Sequence, residues 1–155
     1  MPQNPTYNPH EHRYGGSAAL LDYLILSQDK VNPAILEAGS PISLFVKYRF
    51  PKAVDLPIYG LTLKSHDGFE VFGSNSMIES LERQAKKQGD WAILRFDLPL
   101  NLVSGDYFIS LGLAAFEMGE ALALDRRYDL IHLRLNNPTQ RYGVADLNMK
   151  ITQIH

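Results

Sequence analysis

His66 stands beside Asp67 in the stretch PIYGLTLKSHDGFEVFG, residues 57–73, and these are the residue types of a general base and its orienting partner. Adjacent residues on an extended chain point to opposite faces, which argues against a working pair. His10-Glu11-His12 offers two imidazoles and a carboxylate. That triplet is proline-flanked and has no further ligand close by, so it reads as solvent-exposed rather than metal-binding. Hydrolysis of a glycosidic bond needs two carboxylates facing across a cleft, and Glu70, Asp97, Glu117 and Glu120 have no spacing that singles out a pair. No Gly-rich phosphate loop ending in Lys-Ser or Lys-Thr occurs, which leaves the chain without a nucleotide-binding motif, and no cofactor is implied.

The elements around these residues account for most of them. Tyr59, Leu61 and Leu63 alternate with Gly60, Thr62 and Lys64, and Phe69, Val71 and Gly73 alternate with Glu70, Phe72 and Ser74. Two alternating runs around Asp-Gly predict a β-hairpin whose turn spans residues 65–68, with Gly68 at the positive φ a side chain resists. The same period of two predicts strands at 20–26, 42–50, 91–98, 107–113, 128–135 and 144–154. The last alternates cleanly, Ala145, Leu147, Met149 and Ile151 against Asp146, Asn148, Lys150 and Thr152. Strands at this spacing read as all-β, an antiparallel sandwich. One segment departs from the pattern. In SMIESLERQAKKQG, Ser76 and Glu79 have capping-box spacing, Ile78, Leu81 and Ala85 share a helical face, and Gly89 is a stop, which predicts one short surface helix. Gly105 and Tyr107 have the spacing of a tyrosine corner, in which the hydroxyl ties back to upstream backbone of an immunoglobulin-like sandwich.

A length of 155 residues with 45% hydrophobic content fits one domain with a real core, so general disorder is excluded. The 15 basic and 17 acidic residues form no basic stripe, which excludes nucleic acid as an expected partner. There is no cysteine, hence no disulfide or thiolate metal site, which suits a reducing compartment. Apolar stretches are too short to span a bilayer. MPQNPTYNPHEHRYGG has no apolar signal region, so residues 1–16 read as a linker or tail and residues 17–155 as the sandwich domain.

Tyr14-Gly15, Ala38-Gly39-Ser40 before a strand, Pro57-Ile58 with Gly60, Asp67-Gly68 followed by Gly73, and the Leu102, Gly105, Tyr107 spacing occur in a recognisable order. From residue 13 to residue 155 the chain resembles the carboxy-terminal carbohydrate-binding domain of the ATPase subunit, the Wzt type, of O-antigen polysaccharide ABC transporters. The resemblance implies a non-catalytic module that recognises the non-reducing end of a finished, lipid-linked polysaccharide in the cytoplasm, at the inner-membrane face, and licenses its export. ATPase and transmembrane parts of the transporter are then partners, and this chain is a piece of something longer. It also implies a homodimer that exchanges its last strand. Asn136-Asn137-Pro138 would serve as the hinge.

Sugar rings stack on aromatic side chains, and planar polar groups satisfy their hydroxyls. A glycan site on a sandwich therefore needs such side chains in the outward phase. Phe108, His132 and Arg134 meet that condition and are the first candidates. Trp91 and Arg95 are the second, and Tyr59 is ambiguous because it is in phase with Leu61 and Leu63. An acidic cap on the glycan would engage the arginines. The alternative to a glycan module is a sandwich whose free edge strand pairs with another protein.

Overall fold

The computed structural model describes Arg13, Tyr14 and residues 19–154. Its strands are β1 (Arg13–Tyr14), β2 (Ala19–Ser27), β3 (Lys30–Val31), β4 (Leu36–Glu37), β5 (Ile42–Arg49), β6 (Pro57–Ser65), β7 (Glu70–Asn75), β8 (Trp91–Leu98), β9 (Gly105–Glu117) and β10 (Glu120–Asn136). One sheet runs β1-β10-β9-β6-β7, with β4 also on β10; the other runs β3-β2-β5-β8. Every pair is antiparallel except β4 with β10. The two sheets face each other as an immunoglobulin-like sandwich because each strand has one apolar phase to bury. Ile42, Leu44, Val46 and Tyr48 of β5 meet Leu61 and Leu63 of β6, Ile109, Leu111 and Leu113 of β9, and Ile131 and Leu133 of β10. β1 falls within the segment read as tail; the rest of that segment, including His10 and His12, lies outside the described residues.

The tyrosine corner forms as expected. The Tyr107 hydroxyl donates to the Val103 carbonyl at 2.7 Å. In the β6–β7 turn the Gly68 amide donates to the Ser65 carbonyl at 3.0 Å, and Gly68 has φ +81°. His66 Nε2 and Asp67 Oδ1 lie 3.0 Å apart, because they sit on the turn rather than on an extended chain, yet both are solvent-exposed. Water screens such a pair and leaves it neither buried nor oriented for catalysis.

No helix forms among the described residues, and the predicted surface helix is therefore corrected. A single turn starts where it should, with Asn75 Oδ1 accepting from the Met77 and Ile78 amides. Ser80 then adopts φ +56°, outside the helical region. Downstream, Val54 and Lys86 exchange two backbone bonds of 2.8 Å and the Gly89 amide donates to Phe50 at 2.7 Å, so the chain is held extended. Met77, Ile78 and Leu81 stay exposed, so no apolar face is buried to support a helix. The supposed cap, Ser76, instead accepts from the Tyr59 amide at 3.0 Å.

Two further expectations change. β9 and β10 are longer than predicted, joined by Met118 and Gly119, both at positive φ as a two-residue hairpin turn requires. The segment 144–154 forms no strand within one copy beyond a bridge of Ala145 to Leu102. Asp146 Oδ1 takes up the Asn148 amide at 2.9 Å and Asn148 has φ +51°, which directs the chain off the sheet and leaves Leu147, Met149 and Ile151 exposed.

A buried ion pair sits inside the sandwich. Asp125 and Arg127 are 1% and 0% exposed. Arg127 Nε donates to Asp125 Oδ1 at 2.8 Å, and the Leu20 amide of β2 donates to Asp125 Oδ2 at 2.8 Å. This pair pins the irregular middle of β10 to the opposite sheet. With Arg127 held inward, its neighbour Arg126 faces out.

Candidate functional site

Strand pairing assembles the outer face of the β1-β10-β9-β6-β7 sheet row by row. Asn75, Gly60, Gly112 and Arg126 align across β7, β6, β9 and β10. The next outward row is Gly73, Thr62 and Ser110, and the one after is Lys64, Phe108 and His132, with Glu70 opposite Lys64. Asp106 and Arg134 come last. Glycines at Gly60 and Gly112 leave bare backbone where side chains would stand, as expected where something else approaches a sheet closely. A Cβ built on Gly112 would meet nothing within 4 Å, and on Gly60 only ordinary contacts of 3.7–3.8 Å. The glycines are thus not forced by crowding.

Above this floor is a hollow of about 540 Å³, a size suited to a small ligand. Met77 and Ile78 of the turn after β7 stand on one side, Arg126 and Tyr128 of β10 on the other, and Phe116 of β9 at one end. The turn that replaced the predicted helix is therefore a wall of the hollow. Its lining is mainly apolar, and Glu70, Asn75, Arg126 and Arg127 are among the polar residues on it.

Along β9 from the floor lie the first sequence candidates. The Phe108 and His132 rings stack at 5.1 Å between centroids and 19° between planes. His132 Nε2 is 2.7 Å from Asp106 Oδ1; a carboxylate only accepts, so Nε2 carries the proton and donates. The bond fixes the ring plane beside Phe108. Lys64 Nζ lies 3.6 Å from Asp129 Oδ1, and the Asp129 amide donates to Ser110 Oγ at 2.8 Å, which orders the ground between stacked pair and hollow. Beyond the pair a second hollow, about 460 Å³, is lined by Arg134, Asp106, Asn136 and Glu37.

Phe108, His132 and Arg134 are thus brought onto one face. Trp91 and Arg95 are not, since they lie on the outer face of the opposite sheet, on edge strand β8. Lys47 Nζ sits 4.0 Å from the Trp91 ring centroid and Arg49 Cζ 5.6 Å, a cation–π arrangement that occupies the ring. Arg95 Nε donates to both oxygens of Asp97 at 2.9 and 3.0 Å. Those bonds, with one from Ser43, hold the Asp97 carboxyl below its usual range. Tyr59 is in the core against Tyr48, ring centroids 5.4 Å apart, and burial pushes its hydroxyl up to about 12. It faces away from the site.

The face is poorly arranged for catalysis. An acid–base pair needs one carboxyl kept protonated by apolar surroundings. Among the described residues, Glu70 alone of the carboxylates lines the first hollow. At the second, Glu37 accepts from Asn136 Nδ2 at 3.1 Å and Asp106 from His132, and both reach solvent. No cluster of three His, Cys, Asp or Glu among the described residues could hold a metal ion. The glycine floor is what sequence reading missed, and its signal was two glycines interrupting the outward phase of alternating strands.

Comparison with known proteins bears on this arrangement. The family model described as the Wzt C-terminal domain matches residues 10–147. A solved structure, the crystal structure of the C-terminal domain of wzt, is 34% identical, with a TM-score of 0.88 over 97% of this chain and 92% of that one. A structural-genomics target, SoR45, is 13% identical over 90% of this chain with a TM-score of 0.37, too low to bear on the fold. No curated protein sequence matches. A family match over most of the chain, with a close structural relative, establishes that the chain belongs to the Wzt C-terminal domain family.

Proposed function

We propose that this domain is a non-catalytic carbohydrate-binding module that takes the non-reducing end of an O-antigen polysaccharide on the outer face of the β1-β10-β9-β6-β7 sheet, so licensing export by an ABC transporter. The observation that carries this reading is the side-chain-free floor at Gly60 and Gly112, beside the stacked Phe108–His132 pair. Sugars present flat C–H faces and many hydroxyls; exposed backbone, apolar walls and a few rim groups satisfy both. Arg134, and Arg126 at the hollow, are the groups for an anionic substituent. The domain acts at the cytoplasmic side of the inner membrane beside ATPase and transmembrane parts.

A homodimer through the C-terminal strand belongs to the same reading. Its donor is the exposed alternating run of Leu147, Met149 and Ile151. The pivot lies after Asp146 rather than at Asn136-Asn137-Pro138, because Asn137 is buried and its Nδ2 donates to the Leu102 carbonyl at 3.0 Å and to Asp146 Oδ2 at 2.8 Å. A monomeric mass by light scattering at micromolar concentration would count against it.

The direct test is saturation-transfer NMR with O-polysaccharide from the strain encoding the chain, beside the same polymer stripped of its non-reducing residue. Transfer confined to the terminal residue of intact polymer is the expected result. No transfer, with no heat of binding by calorimetry, would refute the reading in favour of protein pairing at edge strand β8, where Trp91 and Ile93 are exposed.

A further inference from the structure

The two hollows on the glycan face lie at opposite ends of one path along β9, and the stacked Phe108–His132 pair lies between them. Gly112 to Asp106 spans six steps of strand, about 20 Å at ~3.3 Å per residue. That length exceeds one sugar ring. Ile78, Tyr128 and Phe116 line the first hollow together with Ser110, and Phe108 is the next outward residue of β9 beyond Ser110. A terminal ring placed against Phe116 would direct the next rings along β9 over the aromatic pair.

Resting on the glycan-end reading above, we propose that the domain holds an oligosaccharide rather than a single cap. The terminal residue sits over the Gly60–Gly112 floor, an internal residue stacks on Phe108–His132, and the chain leaves past Arg134 and Asn136. The internal subsite is built in advance, because Asp106 fixes His132 and His132 fixes the stack. Preorganised aromatic surface costs little entropy on binding. The module therefore reads the linkage and identity of the repeat together with its end.

Calorimetry with a ladder of fragments tests this. The probes are the methyl glycoside of the terminal residue and size-fractionated partial hydrolysates of the O-polysaccharide that keep that residue. The expected result is affinity rising about tenfold from the monosaccharide to a tri- or tetrasaccharide. Phe108→Ala and His132→Ala should remove the gain in affinity with length, so that tetrasaccharide and monosaccharide bind alike, with a heteronuclear NMR spectrum confirming the fold. Affinity independent of length overturns the subsite and leaves the end-binding reading standing. Equal loss for monosaccharide and tetrasaccharide in Phe108→Ala also overturns it, by placing the stack in the end site. No binding by any fragment or the polymer removes both.

Discussion

Replacing Gly112 with leucine separates a structural glycine from a functional one. Gly112 lies mid-strand, is not among the glycines at positive φ, and has open space where its Cβ would go. A glycine inside a strand is about 0.5–1 kcal/mol less favourable than alanine. Relieving that cost should hold the melting temperature or raise it, by roughly 1–4 °C for a domain of this size. The new side chain projects from the floor into the 540 Å³ hollow. A ring that must then displace it meets an overpacking cost of about 1–3 kcal/mol, roughly 5- to 150-fold in affinity. Thermal denaturation and calorimetry with the intact polysaccharide read the two effects independently. Undiminished affinity in a folded Gly112→Leu protein would show that the floor is not where the glycan sits. A melting point lower by several degrees would show that the glycine serves the fold.

Trp91→Ala, on the far sheet beneath Lys47 and Arg49, should leave glycan affinity within twofold; a tenfold loss would move the site to that face. Tyr107→Phe removes the bond to Val103 and should cost about 0.5–1.5 kcal/mol in denaturant unfolding; an unchanged midpoint would make the corner idle. Asp125→Ala leaves Arg127 without this carboxylate inside the sandwich and should cost about 3–5 kcal/mol, seen as a large fall in the urea midpoint, whereas a loss under 1 kcal/mol would contradict it. Asp146 is held below its usual value near 3.8 by the Asn137 side chain first, then by the Asn148 amide and Arg141. A lowered carboxyl stabilises the fold at pH above its unfolded value, and that contribution is lost as pH falls through the lower folded value. The Asn148 amide shift, followed by NMR, should therefore inflect below pH 3.8, and a midpoint at or above it would contradict the clamp.

The strands were legible because each has one buried face, and a period of two survives any uncertainty about partners. Tyr107 and Gly68 were legible because their roles are local, four residues or fewer from what they bond. The helix was misread because capping-box spacing and an apolar face are also local, while what decides the segment is distant: Val54 and Phe50 hold its second half extended. The length of the β9–β10 hairpin was missed because Met118 adopts a conformation usual for Asn or Asp. Phe108, His132 and Arg134 could be placed outward by phase, but their separation from Trp91 and Arg95 depends on which sheet each strand joins. The floor needed most of all, since Gly60 and Gly112 are 52 positions apart and only non-local pairing brings them into one row.

If the glycan rests on the bare main chain at Gly60 and Gly112, as proposed, the domain lends itself to engineering. Backbone hydrogen-bonded into its own ladder offers the same surface whatever side chains surround it, so a library randomised at Met77, Ile78, Arg126 and Tyr128 alters the two side walls and leaves the floor as it is. All four are exposed and outside the buried core, so substitutions there should carry little folding penalty. On that reading, selection at four positions would retarget one scaffold from one polysaccharide end to another, with the sandwich as a constant platform.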